Sequence, residues 1–291
     1  MLVTAALSPY LMLCGPVSVL FLILARRGIL AIVAIGLTAT TLTVQLPLYL
    51  GSEAARSPSV GLRIVSANLL EGRADSEYLV RLARAQADVL AFQELTPIKV
   101  DRLAAAGLDA TFPYQWLDAR DNSQGVGLFS RFPLVATRQI GGYTFAAVSA
   151  QIRVTGISIN PTVVVVHMPG PWPYAIDDWR RDLDRLPATL FDVAERALSG
   201  CVIVAGDLNS TTDMRPFRGL LRDGYQDAAE QSGAGIEPTF PADMRLPPFL
   251  AIDHILTRNC TATSLRAMKI PRSDHRGLVA TVMIPRFVGG P

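Results

Sequence analysis

Hydrophobic and polar positions divide the chain into two unlike parts. Residues 2–25 contain no charge, residues 28–50 contain none either, and only Arg26 and Arg27 stand between them. Each stretch exceeds the ~20 apolar residues that a helix rising 1.5 Å per residue needs to cross a ~30 Å hydrocarbon core. Two transmembrane helices are therefore predicted within residues 1–50. Residues 51–61, rich in Ser, Pro, Gly and Ala, read as a linker. Beyond them, short apolar runs alternate with amphipathic stretches, and residues 62–291 are expected to form one folded domain.

Within that domain, residues 62–70 and 88–95 read as strands. Between them, residues 75–87 place Leu79, Leu82 and Ala83 on one helical face. A second helix over 97–106 starts with Pro97 at a favoured first position and stops at Gly107. Residues 125–130, 146–154, 162–166, 201–205, 249–256 and 278–284 read as further strands, and the β-branched run at 162–166 suits a strand buried on both faces. Residues 175–198 are helical in pattern, with a kink or split expected at Pro187. Because no helices separate the strands around 125–166, two packed mixed sheets flanked by helices fit better than one parallel sheet. The predicted class is α/β (α+β), a four-layer αββα sandwich preceded by the two membrane helices.

Composition agrees with a membrane segment. The chain is 50% hydrophobic and 18% charged with mean hydropathy +0.31, whereas soluble domains carry about 25% charged residues. Arg26 and Arg27 place the connection between the spans on the cytoplasmic side, so the domain is expected outside, although Arg56 and Arg63 flank the second span. Net charge +2 without a dense Lys/Arg block neither requires nor excludes nucleic acid. The three cysteines show no disulfide pattern. Cys14 lies in the first apolar stretch, Cys201 opens a strand as a small buried residue, and Cys260 remains.

Several predicted strands end in residues used in catalysis: Asn68, Glu94, His167, Asp207 with Asn209, Asp253, and Asp274 with His275. Taken singly, each has an ordinary reading. Asp207 and Asn209 could form a turn, Asp274 and His275 a charged loop, and His167 could be a core-edge histidine. Together they are the set that phosphoester hydrolysis on a hard cation requires: carboxylate and amide oxygens for Mg²⁺, a base for water, and imidazoles for phosphoryl charge. No cysteine pair or histidine pair stands at zinc-ligand spacing.

The strings SANLLEG, AFQEL, GVGLFSRFPL, VVVHMPG, GDLNS, AIDHIL and SDHRGLVATV, in this order, resemble the endonuclease/exonuclease/phosphatase superfamily over residues 62–284. That resemblance implies a metal-dependent hydrolase with Mg²⁺, or Mn²⁺ in its place, as cofactor. It makes Glu94 the principal metal carboxylate, with Asn68 beside it and Asp274 next to the metal. Asp207 would orient or deprotonate water, Asn209 would hold the phosphate, and His275 would polarise the phosphoryl oxygen with Asp253 as its partner. His167 matches the deoxyribonuclease and sphingomyelinase branches rather than the abasic-site endonucleases.

The expected activity is hydrolysis of a phosphodiester, phosphomonoester or diphosphate on a lipid or lipid-linked substrate at the outer membrane face. The partners are then the bilayer and that phosphorylated lipid, with no protein partner inferred. A nucleic-acid substrate, and with it an outward-facing non-specific nuclease, is the alternative. Lysine occurs only at Lys99 and Lys269, which disfavours a DNA grip. The segment 169–179, with Trp172, Tyr174 and Trp179, reads either as a packed loop or as a lip for lipid or the membrane surface.

Overall fold

A computed structural model describes residues 2–12, 14–52, 57–172 and 175–286; Arg56 and Tyr174 lie outside these residues. The N-terminal part contains α1 (Leu2–Ala6), α2 (Ser8–Leu11), α3 (Cys14–Leu24), α4 (Gly28–Gln45) and α5 (Pro47–Leu50). Then come β1 (Ser59–Asn68), α6 (Ser76–Gln86), β2 (Val89–Gln93), α7 (Pro97–Ala105), β3 (Tyr114–Asp118), β4 (Val126–Ser130), β5 (Leu134–Gln139), β6 (Ala147–Ile152) and β7 (Thr162–His167). The chain continues through α8 (Ile176–Ala197), β8 (Val202–Asp207), α9 (Arg215–Leu220), β9 (Gln226–Asp227), α10 (Ala228–Ser232), β10 (Asp253–Arg258), β11 (Thr261–Lys269) and β12 (Arg276–Pro285).

The strands form two six-stranded mixed sheets, ordered β11-β12-β1-β2-β4-β3 and β5-β6-β7-β8-β10-β9. Each has one parallel pair at its centre, β1 with β2 and β7 with β8. Alternation along the strands builds three apolar layers. Leu62, Ile64, Val163, Val165 and Ile203 meet between the sheets, Val65, Ala67 and Leu90 face α6 and α7, and Val164, Val166 and Val204 face α8. The result is the αββα sandwich. Parallel pairing puts the ends of β1, β2, β7 and β8 in register, with His167 opposite Asp207, so the polar residues that terminate these strands converge.

Local capping agrees with the helix starts read from sequence. Asp75 accepts from Tyr78 N at 2.8 Å ahead of α6, and Thr96 accepts from Lys99 N at 3.2 Å ahead of α7. The helix is not split at Pro187, since α8 runs through it for 22 residues. An interior proline costs ~3 kcal/mol, whereas burying a Leu or Val contributes ~1.5–3 kcal/mol. Leu183, Leu186, Leu190 and Val193 are all buried on this helix, so packing outweighs the proline.

Two further expectations are corrected. In the first apolar stretch the described residues form α1, α2 and α3, the longest of 11 residues, and none of the three is long enough to cross a membrane. Pro9 stands in the first turn of α2 and Pro16 in the first turn of α3, where a proline is tolerated. Among the described residues, α4, with 18 residues and a mean hydropathy of 1.8, is the one helix long and apolar enough to cross a membrane. The second correction is a disulfide between Cys201 and Cys260, whose Cα atoms are 5.3 Å apart. Their sequence separation of 59 conceals that Val202 pairs with Arg258 across β8 and β10.

Candidate active site

Strand ends and the loops beside them gather Asn68, Glu94, His167, Asp207, Asn209, Asp253, Asp274 and His275 at one end of the two sheets. At their centre, Asn68 Nδ2 donates to Glu94 Oε1 at 3.0 Å and to Asp207 Oδ2 at 3.1 Å, while its Oδ1 accepts from Leu70 N at 2.9 Å. The amide thus fastens two carboxylates from different sheets. Glu94 follows β2 with φ +55°, a left-handed conformation that a glutamate adopts only under surrounding constraint. Its Oε2 accepts from Glu71 N at 2.7 Å. Asn209 also has positive φ (+47°). Its N donates to Asp207 Oδ1 at 2.8 Å and its Nδ2 to Met168 O at 2.9 Å.

Two imidazoles flank Asp207, each with Nε2 3.6 Å from Oδ2. They are electrostatically opposite. His167 Nδ1 lies 3.0 Å from Ser123 O and can only donate there, which leaves Nε2 without a proton in the neutral ring. Burial depresses the pKa of His167 and keeps that ring neutral. Burial would depress His275 as well, but the charges of Asp253 and Asp207, with the Asp253 hydrogen bond, raise it to about 10. His275 Nδ1 donates to Asp253 Oδ2 at 2.8 Å, so this ring is an imidazolium wedged between carboxylates. Asp207 is raised to about 6, by burial first and by the Asp253 charge second.

A divalent cation fits beside Glu94 and Asp274. Burial is the leading cause of a raised pKa at both carboxyls, and Asp274 Oδ1 is buried with no hydrogen-bond partner among the described residues. Negative charge held there without a partner is what a hard cation would compensate. Asp207, Asp253 and His275 also offer ligand atoms within 4.8 Å of one another. In the protonated ring both nitrogens of His275 carry hydrogen, so this group can hold either a proton or a cation.

Sequence reading missed the supports. Ser273 Oγ donates to Asn68 O at 2.8 Å and accepts from His275 N at 3.1 Å, tying β12 to β1. The Phe240 ring lies 4.9 Å from that of His275. His254 stands apart from the other two histidines, with Nδ1 2.8 Å from Asp227 Oδ2 and Nε2 2.9 Å from Ser210 O. Trp179 does not belong to an exposed lip. It is buried, and its Nε1 donates to Asn209 O at 2.9 Å. Trp172 does stand exposed.

The sequence profile of the Endonuclease/Exonuclease/phosphatase family matches residues 65–275. The chain belongs to this family. It is accordingly a metal-dependent hydrolase of phosphoester bonds. No match was found among curated proteins. Among solved structures, the fold is similar to a family member from Bacteroides vulgatus, with 15% identity, 77% of this chain and 99% of that one covered, and TM-score 0.64. It is also similar to humanized D. rerio TDP2 (20% identity, 76% and 98% covered, TM-score 0.62). Caenorhabditis elegans TDP2 is a third such structure (13%, 76% and 97%, TM-score 0.61).

Proposed function

We propose that this protein is a membrane-anchored, Mg²⁺-dependent phosphoesterase acting on a phosphorylated lipid or lipid-linked molecule at the outer membrane face. The observation that carries this reading is the attachment of the membrane segment to the catalytic end. Leu48, just beyond the spanning helix, lines a narrow cavity together with Asp253 and His254. Its carbonyl accepts from Gly235 N at 2.9 Å, and Tyr10 Oη donates to Phe249 O at 2.8 Å. The same end exposes Trp172 (84%), Met244 (63%) and Leu246 (69%), apolar groups suited to a bilayer interface. The Cys201–Cys260 disulfide favours an oxidising, extracytoplasmic compartment.

The roles follow from the charges. Asp207, with its pKa near 6, is ionised at neutral pH yet basic enough to take a proton from water attacking phosphorus. The His275 imidazolium faces the same space and stabilises charge gathering on a phosphoryl oxygen, while Asp253 fixes its tautomer. Asn68 keeps Glu94 and Asp207 in place. A cation held by Glu94 and Asp274 would neutralise a further phosphoryl oxygen.

A nuclease is the second reading, because one similar D. rerio TDP2 structure is a complex with a single-strand DNA product. Against it, Lys99 is buried and bonded to Ser76 Oγ and Ala74 O, so Lys269 is the one lysine left for a phosphate backbone and a grip on DNA would fall to arginines alone. The full chain in mixed micelles with Mg²⁺ should be tested against sphingomyelin, phosphoinositides, isoprenoid diphosphates and plasmid DNA. Turnover of a lipid phosphoester well above that of DNA is expected. Steeply salt-dependent DNA cleavage with no lipid turnover would establish the nuclease instead.

A further inference from the structure

Away from the catalytic cluster, a cleft of about 400 Å³ opens between α8 and the strands β5, β6 and β7. Thr162, at its floor, starts β7, and His167 ends it. At ~3.3 Å per residue the two lie roughly 17 Å apart along the strand, so the cleft and the catalytic cluster are different places.

The floor breaks the pattern of its own sheet. On the face that packs against α8, Ala147, Val164 and Val166 are buried and apolar, but the pattern then turns polar at Ser149, Gln151 and Thr162. Ser149 and Thr162 are 5% and 8% exposed. Their hydroxyls make no hydrogen bond to protein among the described residues, nor does the Gln151 side chain. With the rest of each side chain buried, these hydroxyls open into the cleft, where the oxygens of a bound molecule can reach them.

The walls supply positive charge. Arg138 of β5 and Arg185 and Arg196 of α8 line the cleft, against one acid, Asp192. The guanidinium groups of Arg138 and Arg196 have no ion-pair or hydrogen-bond partner among the described residues. Arg185 donates to Gly142 O at 3.1 Å and lies over the Tyr143 ring at 5.6 Å. Arginines satisfy the oxygens of phosphate in pairs, and hydroxyl donors complete the shell. The volume suits an organic phosphate rather than a bare ion.

We propose that this cleft is a second binding site for a phosphate-bearing anion, separate from the catalytic cluster. The anion is a soluble phosphorylated small molecule or the headgroup of an anionic lipid. Ser149, Gln151 and Thr162 contact its oxygens from below, and Arg138, Arg185 and Arg196 neutralise it.

Titration calorimetry on the detergent-solubilised full chain carrying His275→Ala tests this, because that substitution weakens phosphate binding at the catalytic site. Pyrophosphate is the soluble probe, and dioctanoyl phosphatidic acid against dioctanoyl phosphatidylcholine is the lipid probe. Binding of either phosphate-bearing probe should weaken about 10- to 100-fold in Arg138→Ala/Arg196→Ala and measurably in Thr162→Val. Which probe binds tells the soluble source from the lipid one. In an otherwise unaltered chain, the arginine substitutions should leave turnover of a small aryl phosphodiester unchanged, since both residues are exposed and distant from the cluster. Absence of binding by both probes, or equal affinity in the arginine and threonine variants, would overturn the proposal. Loss of aryl phosphodiester turnover in the arginine variant would overturn its separateness.

Discussion

His275 and Asp253 lie 22 residues apart in sequence, yet Nδ1 of the ring donates to Oδ2 of the carboxylate across 2.8 Å. The pair is buried, and Asp253 is the leading positive influence on the imidazolium. If the two act as one unit, their losses are not additive. His275→Ala should lower kcat/KM about 10²- to 10⁴-fold, and adding Asp253→Ala should lower it little further. A double-mutant cycle measures this, and fully additive losses would separate the two residues functionally.

The pH profile follows from the same cluster. His275 is raised from 6.5 to about 10 in the fold, so its contribution to stability is complete below 6.5 and lost as pH rises through about 10. Activity that needs the imidazolium should fall on the same alkaline limb. Activity that needs ionised Asp207 should fall below about 6. Asp253→Asn should draw the alkaline limb of kcat/KM towards neutrality, and an unmoved limb would mean that His275 is not the group titrating.

Asn68 stands between Glu94 and Asp207 with its amide hydrogens turned to both. Asn68→Asp would set a third carboxylate against the other two and remove both donors. Loss of a buried hydrogen bond to a charged group costs ~1.5–3 kcal/mol, so kcat/KM should fall at least about tenfold. The thermal midpoint should fall with it. Unchanged kinetics would show that the amide does not organise the site.

Much of this arrangement was legible in the sequence because strand ends are local. The runs that deliver Asn68, Glu94, His167 and Asp207 show their periodicity within a few residues, and the sheets then align them. What remained hidden is non-local or marginal. The Cys201–Cys260 bond depends on β8 lying beside β10, which no spacing rule reveals. Trp179 resembled an exposed aromatic until helix α8 turned it inward beneath Asn209. The first apolar stretch met the length criterion for a span by composition alone, whereas its described helices α1, α2 and α3 are each too short to cross a membrane. Edge strands such as β5 are polar and irregular, with Arg138 beyond a shift in register, and give little alternation to read.

The disulfide makes a separate prediction. Alkylation of the unfolded, unreduced chain should label Cys14 alone, and reduction should add Cys201 and Cys260. Replacing both with serine should cost about 4 kcal/mol on the chain-entropy account of a loop closed by residues 59 apart. The midpoint of denaturant unfolding measures it, with activity at low temperature preserved because neither cysteine touches the catalytic cluster.

The most direct test of the account is turnover of a bis-aryl phosphate by the purified full chain, with Mg²⁺, with chelator, and as Glu94→Gln. Glu94 would hold one end of the proposed cation position and is fixed by Asn68 and the Glu71 amide. The account predicts turnover with Mg²⁺, its loss on chelation, and its loss in folded Glu94→Gln with partial recovery at raised Mg²⁺. Undiminished turnover in chelator, or in Glu94→Gln at ordinary Mg²⁺, would contradict it.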